Sequence, residues 1–172
     1  LKQLRQAVET GESEVIKYVI KHIYHRLPYE QEKQKLLWLI KLIVDYLQQK
    51  RWNFHLIIDE DIYLKINDIT NRRRSHIIID KISLRIKLYR EAVELTDHQH
   101  VQEAIYLIRK KMPNDVSLKE ISDKTYVNYS YLSRVFKREM VQSYIDYVTE
   151  QKMKLAKKML QKEFTIHDIS MK

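Results

Sequence analysis

The chain has 172 residues, with 32 Lys plus Arg against 23 Asp plus Glu and a net charge of +9. It has no cysteine, one glycine and two prolines, which excludes disulfides and thiolate metal sites and leaves little room for hairpin turns or glycine-rich phosphate loops. No apolar run approaches the roughly 20 residues of a membrane span, and the basic excess suits a polyanion such as nucleic acid or an anionic membrane surface.

Such a length can bury one good core or two small ones. Leu, Ile, Lys, Glu and Gln dominate, which predicts an all-α protein. The missing cysteine fits a reducing cytoplasm. No signal-peptide pattern opens the chain, and a start at Leu1 rather than Met leads us to expect residues upstream.

In chain order, Leu1 to Thr10 is predicted helical and stops at Gly11, which can take the left-handed cap. Ser13 is expected to cap a second helix with Val15, Val19, Ile20, Ile23 and Leu27 inside, ended by Pro28. Glu30 to Lys50 reads as a long third helix with Leu36, Leu37, Ile40, Ile43, Val44 and Leu47 inside. A short helix is expected near Asp59 to Ile66. There Ile62, Leu64 and Ile66 also alternate as in a strand, although one without partners. "RRR" (72–74) reads as a solvated cap or loop, and Ser75 to about Leu95 as another long amphipathic helix.

The polar run Asp97 to His100 breaks the periodicity, so a joint is expected between Leu95 and Val101. This gives an N-terminal helical domain, 1–97, and a second domain, 98–172. Shorter helices follow: Val101 to Met112, ended by Pro113; Ser117 to Thr125; and Asn128 to Met140. A long helix from about Gln142 to Gln161 has Ile145, Val148, Leu155, Met159 and Leu160 as its expected core side.

A repeat is hidden in this half. "SLKEISDK" (117–124) and "TIHDISMK" (165–172) each begin with a hydroxyl residue followed three positions later by an acid, close to a capping box. They sit 48 residues apart and bracket two helices. The second copy is therefore expected to open a further unit running past Lys172.

Within the first unit, Leu118 to Thr125 and Asn128 to Met140 follow the helix-turn-helix plan. Asn128 is a good N-cap. Leu132, Val135 and Phe136 form the predicted buried stripe, and Ser130, Ser133, Arg134 and Lys137 lie on another face. Small hydroxyls let a backbone approach base edges, an Arg can grip guanine O6 and N7, and a Lys can meet a phosphate. An ordinary amphipathic helix with a solvated basic side has the same pattern. Lys154, Lys157, Lys158 and Lys162 make a second basic stripe on the following helix, and two such stripes favour phosphate contact.

"SLKEIS…NYSYLSRVFKREM…SYIDYVTEQKMKLAKKML…TIHDIS" closely resembles the DNA-binding domain of AraC/XylS-type bacterial transcription regulators, over about Val101 to Lys172. The matching residues include Ile121, Tyr131-Leu132-Ser133-Arg134, Phe136-Lys137, Tyr147, Ala156, Leu160 and Ile166 to Ser170. The resemblance implies two helix-turn-helix units joined by a long helix, the second incomplete at Lys172. It implies double-stranded DNA as partner, with Ser130, Ser133 and Arg134 on base edges. Phosphate contacts are expected from Asn128, Tyr129, Lys137, Lys154, Lys157 and Lys158. Four positions depart from the family: Val141 stands where it usually has Gly, Ser122 for a small Ala, Asn128 for a Ser cap and Lys152 for an Arg.

Residues 1–100 resemble, more weakly, the helical linker of AraC-type response regulators of the YesN kind, through "LKQLRQAVETGESEVI" and the run of long helices. A generic dimerisation or effector domain fits as well. A homodimer through this domain and RNA polymerase are the protein partners to expect, with no membrane partner and no cofactor. His22 and His25, or His98 and His100, could share a metal, but no neighbouring ligands complete either site. No nucleophile–base–acid set can be assembled, so no enzymatic activity is expected. The other reading is a helical protein-interaction module whose helix-turn-helix binds a protein partner.

Overall fold

The computed structural model describes residues 2–27, 31–69 and 71–161. Pro28, Lys162 and the second capping sequence, Thr165–Lys172, lie outside them. The described residues form ten α-helices and no strand, so the chain is all-α. It divides into two compact units, Leu1–Glu91 and Ala92–Lys172.

The first unit opens with α1 (Lys2–Thr10) and α2 (Ser13–Arg26), packed together around Gly11. Gly11 has φ of +72°, and a Cβ there would lie 1.9 Å from Nη1 of Arg90. The same guanidinium donates to the Glu9 carbonyl at 2.9 Å and so closes the end of α1. Both the left-handed backbone and the arginine require glycine at this position.

Helix α2 departs from expectation in two ways. Ser13 is its first residue, not its cap; Glu12 holds the cap position and its side chain makes no capping bond. The buried stripe is Ile16, Ile20 and Tyr24, with Val15, Val19 and Ile23 at its edge. Helix α3 (Glu32–Gln49) likewise buries Leu36, Leu39, Ile40, Ile43, Tyr46 and Leu47, leaving Leu37 exposed and Val44 half-buried. In both helices a tyrosine joins the core where a smaller aliphatic was expected. Tyr24 can do so because its hydroxyl bonds to Glu32.

Next come α4 (Phe54–Ile57), α5 (Glu60–Asn67) and α6 (Arg72–Val93). Asp59 caps α5 by accepting from the Ile62 N–H, so the helical alternative holds there and the strand does not. Buried Arg85 donates to the Ile57 carbonyl at 2.9 Å and to Asp59 at 2.8 Å, fixing that cap. The three arginines 72–74 are not a loop but the first turn of α6, where Asn71 Oδ1 accepts from the Arg74 N–H.

The second unit contains α7 (Gln99–Lys111), α8 (Leu118–Thr125), α9 (Tyr129–Met140) and α10 (Tyr144–Leu160). Helices α7, α8 and α9 pack on one another, and α10 packs on α9. Their core contains Val101, Ala104, Ile105, Ile108, Ile121, Leu132 and Phe136. The polar run before α7 is folded onto this unit: Thr96 donates to Glu139 at 3.2 Å, and Gln102 donates to the Thr96 carbonyl at 2.7 Å.

Candidate nucleic-acid interface

The candidate interface comprises α8, the turn after it, and α9. Ser117 begins α8 by accepting from the Glu120 N–H at 3.1 Å. The reciprocal half of the expected capping box is absent. The Glu120 carboxylate pairs instead with Lys111 at 2.6 Å and Lys124 at 2.9 Å, and these bonds hold its carboxyl below the ordinary value. Ser122, where the resemblance calls for alanine, is buried without penalty because its hydroxyl donates to the Lys119 carbonyl.

The chain leaves α8 through Tyr126, at φ 55°, and the Val127 N–H closes the turn on the Ser122 carbonyl at 3.0 Å. Asn128 then caps α9, its Oδ1 accepting from the N–H groups of Ser130 (2.9 Å) and Tyr131 (3.2 Å). Two orphan donors are thereby satisfied, and the direction of α9 is fixed at its first turn.

Leu132, Val135 and Phe136 face inward. Phe136 meets Tyr144 and Tyr147 edge-on, with ring centroids 5.8 and 5.5 Å apart. Tyr144 also donates to the Val116 carbonyl, and burial pushes its hydroxyl up to about 12. These contacts tie α10 to the back of α9. Lys152, in the place of an arginine, ties α10 to Asp115 by an ion pair.

The front of α9 is open. Asn128, Tyr129, Ser130, Arg134 and Lys137 are exposed and Ser133 half-buried, which is the strip the sequence pointed to. Neither Arg134 nor Lys137 has an ion-pair partner among the described residues. Arg138, one position on, is occupied by Glu139 at 2.9 Å. On α10, Lys154 is exposed but paired with Glu150 at 2.6 Å, while Lys157 and Lys158 are exposed with no such partner among the described residues. No hydrogen bond or ion pair among the described residues joins the α9 strip to the α10 lysines.

Comparison with protein-family models, with curated proteins and with solved structures gives no match.

Sequence reasoning missed three features of this region. Tyr126 is 96% exposed at the tip of the turn, and together with Tyr129 and Tyr131 it puts three exposed tyrosines around the start of α9. The signal was in "TYVNYSYL", where aromatics flank a capping asparagine. The Tyr131 hydroxyl lies 3.4 Å from His98 Nε2, and the His98 and His100 rings meet the tyrosine ring tilted and edge-on, respectively. These histidines therefore pack against the start of α9. Among the described residues no group of three or more His, Asp or Glu is placed to hold a metal ion. Finally, Ile145, expected in the core, is 72% exposed, and Tyr147 takes the buried position on α10.

Proposed function

We propose that residues 92–172 form a sequence-specific DNA-reading module of the AraC/XylS kind, a helix-turn-helix that inserts α9 into the major groove. The observation that carries this is the division of α9. Its back is locked by three buried apolar residues, and its front presents two small hydroxyls and two cations without an ion-pair partner among the described residues, on a capped helix. In this reading Ser130, Ser133 and Arg134 meet base edges. Asn128, whose amide nitrogen is left to donate, meets phosphate with Tyr129 and Lys137. Lys157 and Lys158 add phosphate contacts from α10, and Lys154 joins them by exchanging Glu150 for phosphate.

Exposed tyrosines also suit a protein partner, and salt dependence separates the two readings. Binding of the whole chain to duplex DNA should weaken steeply with salt, with a slope near −0.9 per phosphate neutralised. Replacing Lys154, Lys157 and Lys158 by Ala should lower affinity for selected and random duplexes by similar factors and flatten that slope by about two to three. A shallow slope for the unaltered chain would favour the protein-interaction module. An unchanged slope in the triple variant would mean that the α10 lysines face only solvent.

A further inference from the structure

The sequence offered His22 and His25 as a shared metal pair, and the structure gives their rings different partners. His22 stacks on Tyr18, with ring centroids 6.1 Å apart. His25, in the last turn of α2, meets His76 of α6 edge-on, with centroids 5.4 Å apart. Both rings also stand edge-on to buried Tyr24, at 5.5 and 6.1 Å. These three rings join the end of α2 to the start of α6. Arg72 closes the same junction, its Nη2 standing 3.0 Å from Nδ1 and 3.3 Å from Nε2 of His25.

The junction suits neutral histidines and opposes charged ones. A guanidinium always donates, so its neighbour must accept; a neutral imidazole can, and an imidazolium cannot. Nε2 of His76 is buried with no hydrogen-bond partner among the described residues, so a charged His76 carries an N–H that nothing accepts. The charged groups facing the pair come from three helices: Lys21 of α2, Glu32 and Lys35 of α3, and Arg72 and Asp80 of α6. Both carboxylates are already engaged. Glu32 accepts from the Tyr24 hydroxyl, and Asp80 pairs with Lys21 at 2.9 Å. A proton on either ring therefore adds a cation beside Arg72, Lys21 and Lys35. Burial of the ring first, then Arg72, His76, Lys35 and Lys21, hold His25 below the ordinary histidine value. Burial first, then Lys21 and Arg72, do the same for His76 against the pull of Asp80 and Glu32.

We propose that His25 and His76 form a proton-operated clasp in the first unit: neutral, they hold the start of α6 to the end of α2, and charged, they release it. The folded chain then binds fewer protons than the unfolded one. The stability this pair contributes is present above the unfolded histidine value of about 6.5 and is lost as pH falls through it. The clasp is independent of the nucleic-acid reading, and its test needs no DNA. Site-resolved nuclear magnetic resonance of the whole chain should show both rings titrating below the ordinary histidine value. From about pH 7.5 to about 5.5, where most carboxylates stay ionised, the amides of residues 72–80 should lose protection from exchange severalfold after correction for intrinsic rates. Those of α8, which carries no histidine, should keep theirs. His25→Gln with His76→Gln should abolish the loss, because glutamine accepts and takes no charge. Arg72→Gln should move the His25 titration upward. Rings that titrate at or above the ordinary value in the unaltered chain would overturn the proposal. So would protection at 72–80 that ignores pH, or a loss that persists in the double glutamine variant.

Discussion

The helix starts of the two units are built differently. In the second unit α8, α9 and α10 each begin on a side chain that accepts from the first-turn N–H groups: Ser117, Asn128 and Ser143. In the first unit Glu12, Gln31 and Asn53 hold the cap positions of α2, α3 and α4 without such a bond, whereas Asp59 before α5 and Asn71 before α6 make one. Helix ends in the first unit are instead closed from a distance, as Arg90 closes α1 across 81 positions of sequence. In the second unit α7 starts at His98 without a side-chain cap, so local caps define its α8, α9 and α10, while α1, α2, α3 and α4 of the first unit depend more on tertiary contacts.

This contrast is open to mutation. The largest effect is expected at Gly11→Ala. The substitution strains a left-handed backbone by about 1–2 kcal/mol and displaces Arg90 from the Glu9 carbonyl, for about 2–3 kcal/mol in all. Denaturant unfolding measures it, and a loss under about 0.5 kcal/mol would show that Arg90 is not the closure. Next comes Asn128→Ala, expected to cost about 1–2 kcal/mol, against less than about 0.5 for Gln31→Ala. Equal costs would erase the distinction between the units.

A smaller and opposite effect is expected at Val141. This β-branched residue ends α9 at φ 57° and is 90% exposed, so the strain is offset by no burial. Val141→Gly should raise the melting temperature, by about 1 kcal/mol of stability. A lower melting temperature would mean that the valine makes a contact of its own.

The same contrast explains what could be read from the sequence. The buried stripe of α9 and the caps Ser117 and Asn128 were legible because each depends on residues within one or two turns. The Gly11 stop was legible as a turn, but its second cause, Arg90, was not. The stripes of α2 and α3 came out rotated because Tyr24 and Tyr46 are buried whole. Periodicity favours the aliphatic Val15, Val19 and Val44 over tyrosines, whose burial depends on distant packing. Ile145 failed for a related reason: α10 is amphipathic, but Tyr147 alone of its described residues is fully buried, and a pattern cannot say which face finds a partner. Of the candidate interface, the exposed strip was legible and the pairing of Lys154 with Glu150 was not, although both lie on one helix face four residues apart.

The most direct test of the account is the Arg134→Ala variant of the whole chain, bound at one fixed salt concentration to a duplex selected from random sequence and to an unselected one. Arg134 is exposed and unpaired among the described residues, so its removal should leave the melting temperature unchanged. Loss of a two-pronged contact to guanine, worth about 1–3 kcal/mol, should weaken the selected duplex about ten- to a hundredfold and the unselected one by much less. Equal losses on both duplexes would reduce Arg134 to a phosphate contact. A lowered melting temperature with unchanged DNA binding would contradict the reading of α9 as the sequence-reading helix.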